Sequence, residues 1–316
     1  MHTAKKIKAI FWLIGGIGTV LVGLLMISGF SSSKEGPEVD PDWREKLLQY
    51  RQEKDQEFKT STTSPMAGVK WLSVSVRKKV YVSEYNGTVT LTERLEPGVK
   101  LSLMGQAGKW TWENLDMAIT CRIGDRMVPG GHELPGRVEF KVGRLTLAAN
   151  PGDENLTLIV FDPQRPNITH FKGLVYFPPD PALAVTAQFQ KLNDLIPVKL
   201  TTSRNLEKTY YRYGKIEFSL EGRDLSLTAF ASSNQLDSAS KVLFIPFEDL
   251  TNGNETYGAG RYLEIPEPVE KVFKLDFNYC FNPLCNYSPA YNCSIPPTEN
   301  ILPVAIRAGE KTYPYH

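Results

Sequence analysis

The sequence predicts a mainly β protein, an antiparallel β-sandwich or barrel with internal duplication, preceded by one transmembrane helix and one short amphipathic helix. Three observations carry this expectation. An apolar run without charge fills residues 9–30, apolar residues recur at helical spacing over 42–59, and from Val69 onward the pattern alternates with period two between closely spaced turn signals.

The run from Ala9 to Phe30 has Thr19 and Ser28 as its only polar members. At about 1.5 Å per residue it can cross a hydrocarbon core about 30 Å thick. Lys5, Lys6 and Lys8 precede it, which keeps the tail, residues 1–8, cytoplasmic and sends the rest of the chain across. The alternative is a cleaved signal peptide and a secreted protein. The run is longer than the usual apolar region of about 7–15 residues, and no Ala-x-Ala site follows it. No cysteine follows closely enough to carry a lipid.

With 41% hydrophobic residues among 316, the chain can bury one large or two ordinary cores. Lys plus Arg number 36 against 35 for Asp plus Glu, a balance that disfavours nucleic acid and an anionic membrane surface as partners. Cys121, Cys280, Cys285 and Cys293 are an even set, suited to a compartment where disulfides persist, and they allow three pairings. Cys-x4-Cys-x7-Cys is not a zinc spacing, and His132 and His170 are the only histidines away from the termini. Neither a metal nor a cofactor is therefore expected.

Residues 31–41 read as a polar spacer. Asp42-Trp43-Arg44-Glu45 then has the form of a capping box, opening a helix over 42–59 whose apolar face carries Trp43, Leu47, Tyr50 and Phe58. The β domain spans 69–316. Its clearest hairpin is Lys79 to Tyr85, Asn86-Gly87 and Thr88 to Thr92, because Asn-Gly accepts the left-handed dihedrals of a type I′ turn. Glu221-Gly222 and Asn252-Gly253 mark further turns.

Two stretches resemble each other. Gly136-Arg-Val-Glu-Phe-Lys-Val matches Gly214-Lys-Ile-Glu-Phe-Ser-Leu, Leu158-Ile-Val-Phe faces Leu243-Phe-Ile-Pro, and Tyr176 with its prolines faces Tyr262 with its own. Repeat halves over 136–189 and 214–277 are expected to pack face to face or close into a barrel, because one such sheet cannot bury its apolar side alone.

Phe171-Lys-Gly-Leu-Val-Tyr-Phe-Pro-Pro-Asp-Pro, Ile245-Pro-Phe-Glu-Asp, Glu255 through Leu263, Leu275-Asp-Phe-Asn, Asn282-Pro-x-Cys, Pro296-Pro-x-Glu-Asn and Leu302 through Glu310 follow one another in order. On these segments the chain resembles the bacterial and archaeal family called domain of unknown function 1684, weakly before Gly136 and well from Phe171 on. The resemblance implies no activity, although many members are exported or lipid-anchored. It also implies a bond between Cys285 and Cys293, which match the family's pair. Cys280, where the family usually has a small residue, is left for Cys121.

Within these segments Asp249, Thr256, Tyr257, Arg261, Asp276, Asn278, Glu299 and Asn300 fall in loops or at strand ends, where ligand sites are usually built. The first expectation is a non-enzymatic envelope module that binds a protein partner or small ligand through the loops around Arg261 and Asn278. The second is an envelope hydrolase in which Arg261 grips a carboxylate or phosphate and Glu299 or Asp276 acts as base. A flavin-binding split barrel is a third, by analogy alone. No P-loop, Gly-x-Ser-x-Gly or His-Glu-x-x-His motif occurs.

Overall fold

The structure, a computed structural model, describes residues 40–152, 154–232, 236 and 241–314. The expected tail, the membrane run and nearly all of the spacer lie outside the described residues. Among those described, no helix is long and apolar enough to cross a membrane. The protein is mainly β, built from antiparallel sheets.

The first body is a sandwich. One sheet has the order β1-β10-β9-β8-β6-β7 and consists of Gly68–Ser75, Asn155–Phe161, Leu145–Pro151, Val138–Val142, Thr120–Ile123 and Arg126–Met127. The other has the order β3-β2-β4-β5, from Thr88–Thr92, Lys79–Tyr85, Val99–Gln106 and Lys109–Asn114. Period-two patterning sets which side faces in: β5 turns Trp110 and Trp112 inward while Lys109, Thr111 and Glu113 stay out. The two sheets share one core, in which Trp112 packs edge-on against Phe140 at 5.3 Å. The Asn86-Gly87 hairpin forms as read, with φ of 48° and 76° and Tyr85 paired to Thr88.

The second body is one six-stranded sheet, order β15-β14-β13-β12-β11-β16: Arg261–Pro266, Val242–Phe247, Arg223–Ala231, Glu207–Leu220, Ala184–Thr201 and Val272–Asp276. Its apolar face is covered by the returning chain, with Phe277, Cys280, Leu302, Val304, Ile306 and Ala308 in the same core as Ile216, Leu227 and Ile245.

The repeat is therefore local. β8-β9-β10 and β12-β13-β14 are both antiparallel three-strand meanders. They do not pack on each other. The first covers its apolar face with the four-stranded sheet and the second with the 277–308 segment, so each has a core of its own. Beyond the meanders the correspondence ends: β1 lies beside β10, whereas β15 lies beside β14. Tyr176 lies in no named strand: its backbone makes an isolated bridge to Glu310, and its ring packs under the Arg51 guanidinium at 4.5 Å.

Helix α1, Trp43–Thr60, matches the expected span, but its entry and its buried face differ from expectation. Asp42 makes no side-chain cap. Asp40 does that work, its carbonyl accepting from Trp43 N at 2.8 Å and its Oδ1 from Asp42 N at 2.9 Å. The buried stripe is Leu47, Arg51, Lys54 and Phe58, so two cations sit where an apolar face was expected. They are tolerated because the body beneath offers acceptors: Arg51 Nη1 donates to Phe177 O at 2.9 Å, and Lys54 meets Glu310.

Segment 284–293 joins the two bodies. Ser288 Oγ donates to Gly68 O on β1 at 2.7 Å, and Tyr291 OH donates to Pro65 O at 3.1 Å. Tyr291 also packs with Ala67, Ala148 and Phe161.

Candidate functional site

The eight residues singled out in the sequence fall into four separate networks. Arg261, wholly buried, donates from Nη2 to Asp249 Oδ2 and to Ile306 O, both at 2.6 Å, and from Nη1 to Ala308 O. Asp249 uses its other oxygen on Thr251, accepting from the backbone N–H at 2.8 Å and the hydroxyl at 2.6 Å. Thr256 lies in the same turn, its Oγ1 2.8 Å from Thr251 Oγ1, and Asn252 holds the Tyr257 carbonyl at 2.7 Å. This network ties loop 249–260 to the chain at 306–308.

Asp276 is not part of it. Its Oδ2 accepts from the indole of Trp43 at 2.5 Å, and its Oδ1 accepts from Asn278 N at 2.9 Å and Asn278 Nδ2 at 2.8 Å. Asn278 in turn grips Asp180 like a strand partner, accepting from its N–H at 2.9 Å and donating to its carbonyl at 2.7 Å. Asn300 repeats the device on β13, accepting from Thr228 N at 2.7 Å and donating to Thr228 O at 2.9 Å. Glu299 is half-exposed and holds Arg212 through Nε at 2.9 Å and Nη2 at 3.3 Å. Arg261, Asp276 and Glu299 thus have different partners and share none.

The expected disulfide between Cys121 and Cys280 is corrected. The two thiols lie in different cores, Cys121 between the sandwich sheets and Cys280 under the second sheet. Burial pushes Cys121 up to about 12 and raises Cys280 further. Cys285 and Cys293 are likewise unbonded in this structure, and they are neighbours. Cys285 N–H donates to Cys293 Sγ at 3.1 Å. The hydrogen bond with Cys293, aided by Ser203 and by the charge of Lys208, holds Cys285 below the ordinary thiol range against the effect of burial. Cys293 is raised by the same contact and by burial. Among the described residues no group of His, Cys, Asp and Glu is arranged to hold a metal ion.

Sequence reading missed a buried polar centre under α1. Lys54 Nζ lies 2.5 Å from Glu310 Oε1, and Glu310 Oε2 accepts from Asn282 N at 2.8 Å and from the Tyr287 hydroxyl. Burial draws the Lys54 ammonium down, but the Glu310 carboxylate outweighs it and leaves the group raised. The available signal was Arg51 and Lys54 falling on the stripe of Leu47 and Phe58. Ser203 and Lys208 carried no signal, since only folding brings residues so far apart in the chain to the cysteines.

Residues 169–311 match the family described as "Protein of unknown function (DUF1684)". The chain belongs to this family. Both the Arg261 network and the cysteine pair lie inside the matched span, whereas the sandwich precedes it. A similar solved structure is the solution NMR structure of the uncharacterized protein from gene locus rrnAC0354 of Haloarcula marismortui, 35% identical over 47% of this chain and 80% of that one, with a TM-score of 0.40. No curated protein matches the chain.

Proposed function

We propose that the chain is an extracytoplasmic β module, held at a membrane by residues 9–30, that acts by binding a partner or small ligand and not by hydrolysis. The anchor rests on the apolar run and the three lysines before it. Binding is favoured over hydrolysis by one observation: the three residues a hydrolase would need to converge are each engaged elsewhere, Arg261 with Asp249, Asp276 with Trp43 and Asn278, and Glu299 with Arg212. A base must reach the proton it abstracts, and an anion grip needs free donors aimed at the ligand.

Because Arg261 and Asn278 are buried, the ligand surface moves from those side chains to the exposed loops nearby. The favoured place is the turn at 202–206 with the 284–293 segment, where Ser203 and Arg204 are exposed and Tyr257 is half-buried.

Carbonate washing of membranes, with protease protection of the intact side, tests the anchor. A chain released by carbonate or lacking residues 9–30 when purified overturns that part. Mass spectrometry of the molecule extracted in mild detergent tests binding, with a stoichiometric companion as the expected result. A hydrolytic activity lost in Glu299→Gln or Asp276→Asn sinks the binding reading.

A further inference from the structure

The loop between Cys285 and Cys293 is arranged around its two sulfurs. Ser203, exposed on the β11–β12 turn, accepts from Cys293 N–H at 3.1 Å, and its Oγ lies 3.2 Å from Cys285 Sγ. The Ser203 hydroxyl keeps its own proton and can donate it to the Cys285 sulfur, a contact that favours the thiolate once Cys285 has lost its proton. Lys208 adds a positive charge from the same hairpin, its Nζ donating to the carbonyl of Asn292 at 2.6 Å. Cys285 and Cys293 are both half-buried.

We propose that Cys285 and Cys293 form a thiol–disulfide exchange site for low-molecular-weight disulfides, in which Cys285 attacks and Cys293 resolves. The Cys285 thiolate attacks one sulfur of the small disulfide. The S–S bond of that molecule breaks, one half leaves as thiolate, and a mixed disulfide forms on Cys285. Cys293 then gives up its proton and attacks the Cys285 sulfur, expelling the second half. The protein loses two electrons and the Cys293 proton, and the small disulfide gains them, leaving as one thiolate and one thiol, the thiolate taking any further proton from water.

The ring so closed contains the groups that hold the molecule together at this point. Tyr287 donates to Glu310 beneath α1, Ser288 to Gly68 on β1, and Tyr291 to Pro65. Exchange at the two sulfurs therefore acts on the joint between the bodies. The site lies on the surface proposed above for binding but does not depend on that reading or on the membrane anchor, and it is tested on the reduced, purified full chain.

Limiting iodoacetamide at pH 7 should modify Cys285 first, with Cys121 and Cys280 protected by burial. Its rate should change less than about twofold between pH 7 and 8.5, where an ordinary thiol gains roughly 15-fold from its rising thiolate fraction. Lys208 is the cation that shapes this profile. The phenols that feel the pair, Tyr210, Tyr257, Tyr262 and Tyr291, are raised by burial and stay neutral over that range. Glutathione disulfide should convert the wild type to a form lighter by two hydrogens that reduced glutathione reopens. Cys293→Ser should retain one glutathione on Cys285, and Cys285→Ser none on Cys293.

Equal labelling of both cysteines, a 15-fold rise with pH, or glutathione retained on the wild type would overturn the proposal. So would a bond that glutathione cannot reopen in the folded chain, which would mark a purely structural disulfide. The labelling order and pH profile need no variant, so a substitution that fails to fold does not remove the test.

Discussion

Lys54→Met is expected to cost about 3–5 kcal/mol, because it strips the cation from a carboxylate that is already out of water. Glu310 is 1% exposed at its side chain and Lys54 8%, with 2.5 Å between nitrogen and oxygen. The variant leaves Glu310 with the Asn282 N–H and the Tyr287 hydroxyl as its remaining donors. These satisfy lone pairs but do not neutralise the charge. With folding stabilities of about 5–15 kcal/mol as the usual range, the loss is a large fraction of the whole. At a urea slope of about 2 kcal/mol per M the midpoint falls by roughly 2 M.

The double variant Lys54→Met/Glu310→Gln removes both charges and should be at least ~1 kcal/mol less destabilised than the sum of the singles. Urea titration followed by circular dichroism, with hydrogen exchange across α1, reads the loss and locates it. The sign with pH is also determined. A raised ammonium contributes fully below its unfolded value of about 10.4, and the contribution is lost as pH climbs through the folded value. The difference between wild type and Lys54→Met should therefore shrink in strong alkali. A single variant costing under ~1 kcal/mol, or additive singles, would refute the reasoning.

Other outcomes follow from the same contacts. Arg261→Ala removes the cation from buried Asp249 and leaves the carbonyls of Ile306 and Ala308 without their donor, so urea unfolding should show a loss of about 3–5 kcal/mol. Gly260→Ala forces φ of +87° on a residue with a side chain and places Cβ 2.8 Å from Phe247 O and 2.5 Å from Pro296. A loss above ~2 kcal/mol is expected on the same titration. Burial pushes the Cys121 thiol up to about 12. The unfolded chain releases this proton near pH ~8.5 and the folded one does not, so stability should fall as pH rises above that value. Cys121→Val should make the slope shallower, the rest coming from Cys280 and the other raised groups, and an unchanged slope would exclude Cys121 as a contributor.

Much of the β architecture was legible locally. Asn86-Gly87 between alternating runs could form little else than a tight hairpin, and β5 displays its inward tryptophans in the plain sequence. The match within the halves 136–189 and 214–277 falls on two antiparallel three-strand meanders, β8-β9-β10 and β12-β13-β14. Their assembly was not legible, because alternation states that a face is apolar but not what covers it. One face met a second sheet and the other met the returning chain.

The candidate site was less legible still. The sequence placed Arg261, Asp249, Asp276, Glu299 and the asparagines in loops and at strand ends, yet could not decide which would meet. Arg261 found Asp249, twelve positions away, while Asp276 met Trp43 across 233 positions and Glu299 met Arg212 across 87. Residue type, period and turn chemistry act over a few neighbours, so the chain by itself determined its class, its helix, its hairpins and the family of its second body. Partnership of charges, the separation of Cys121 from Cys280, and the approach of Ser203 and Lys208 to Cys285 were decided only in the tertiary structure. Those contacts depend on the packing of whole sheets, which brings together side chains far apart in the chain, and burial strengthens the ones it removes from water, such as Arg261 with Asp249.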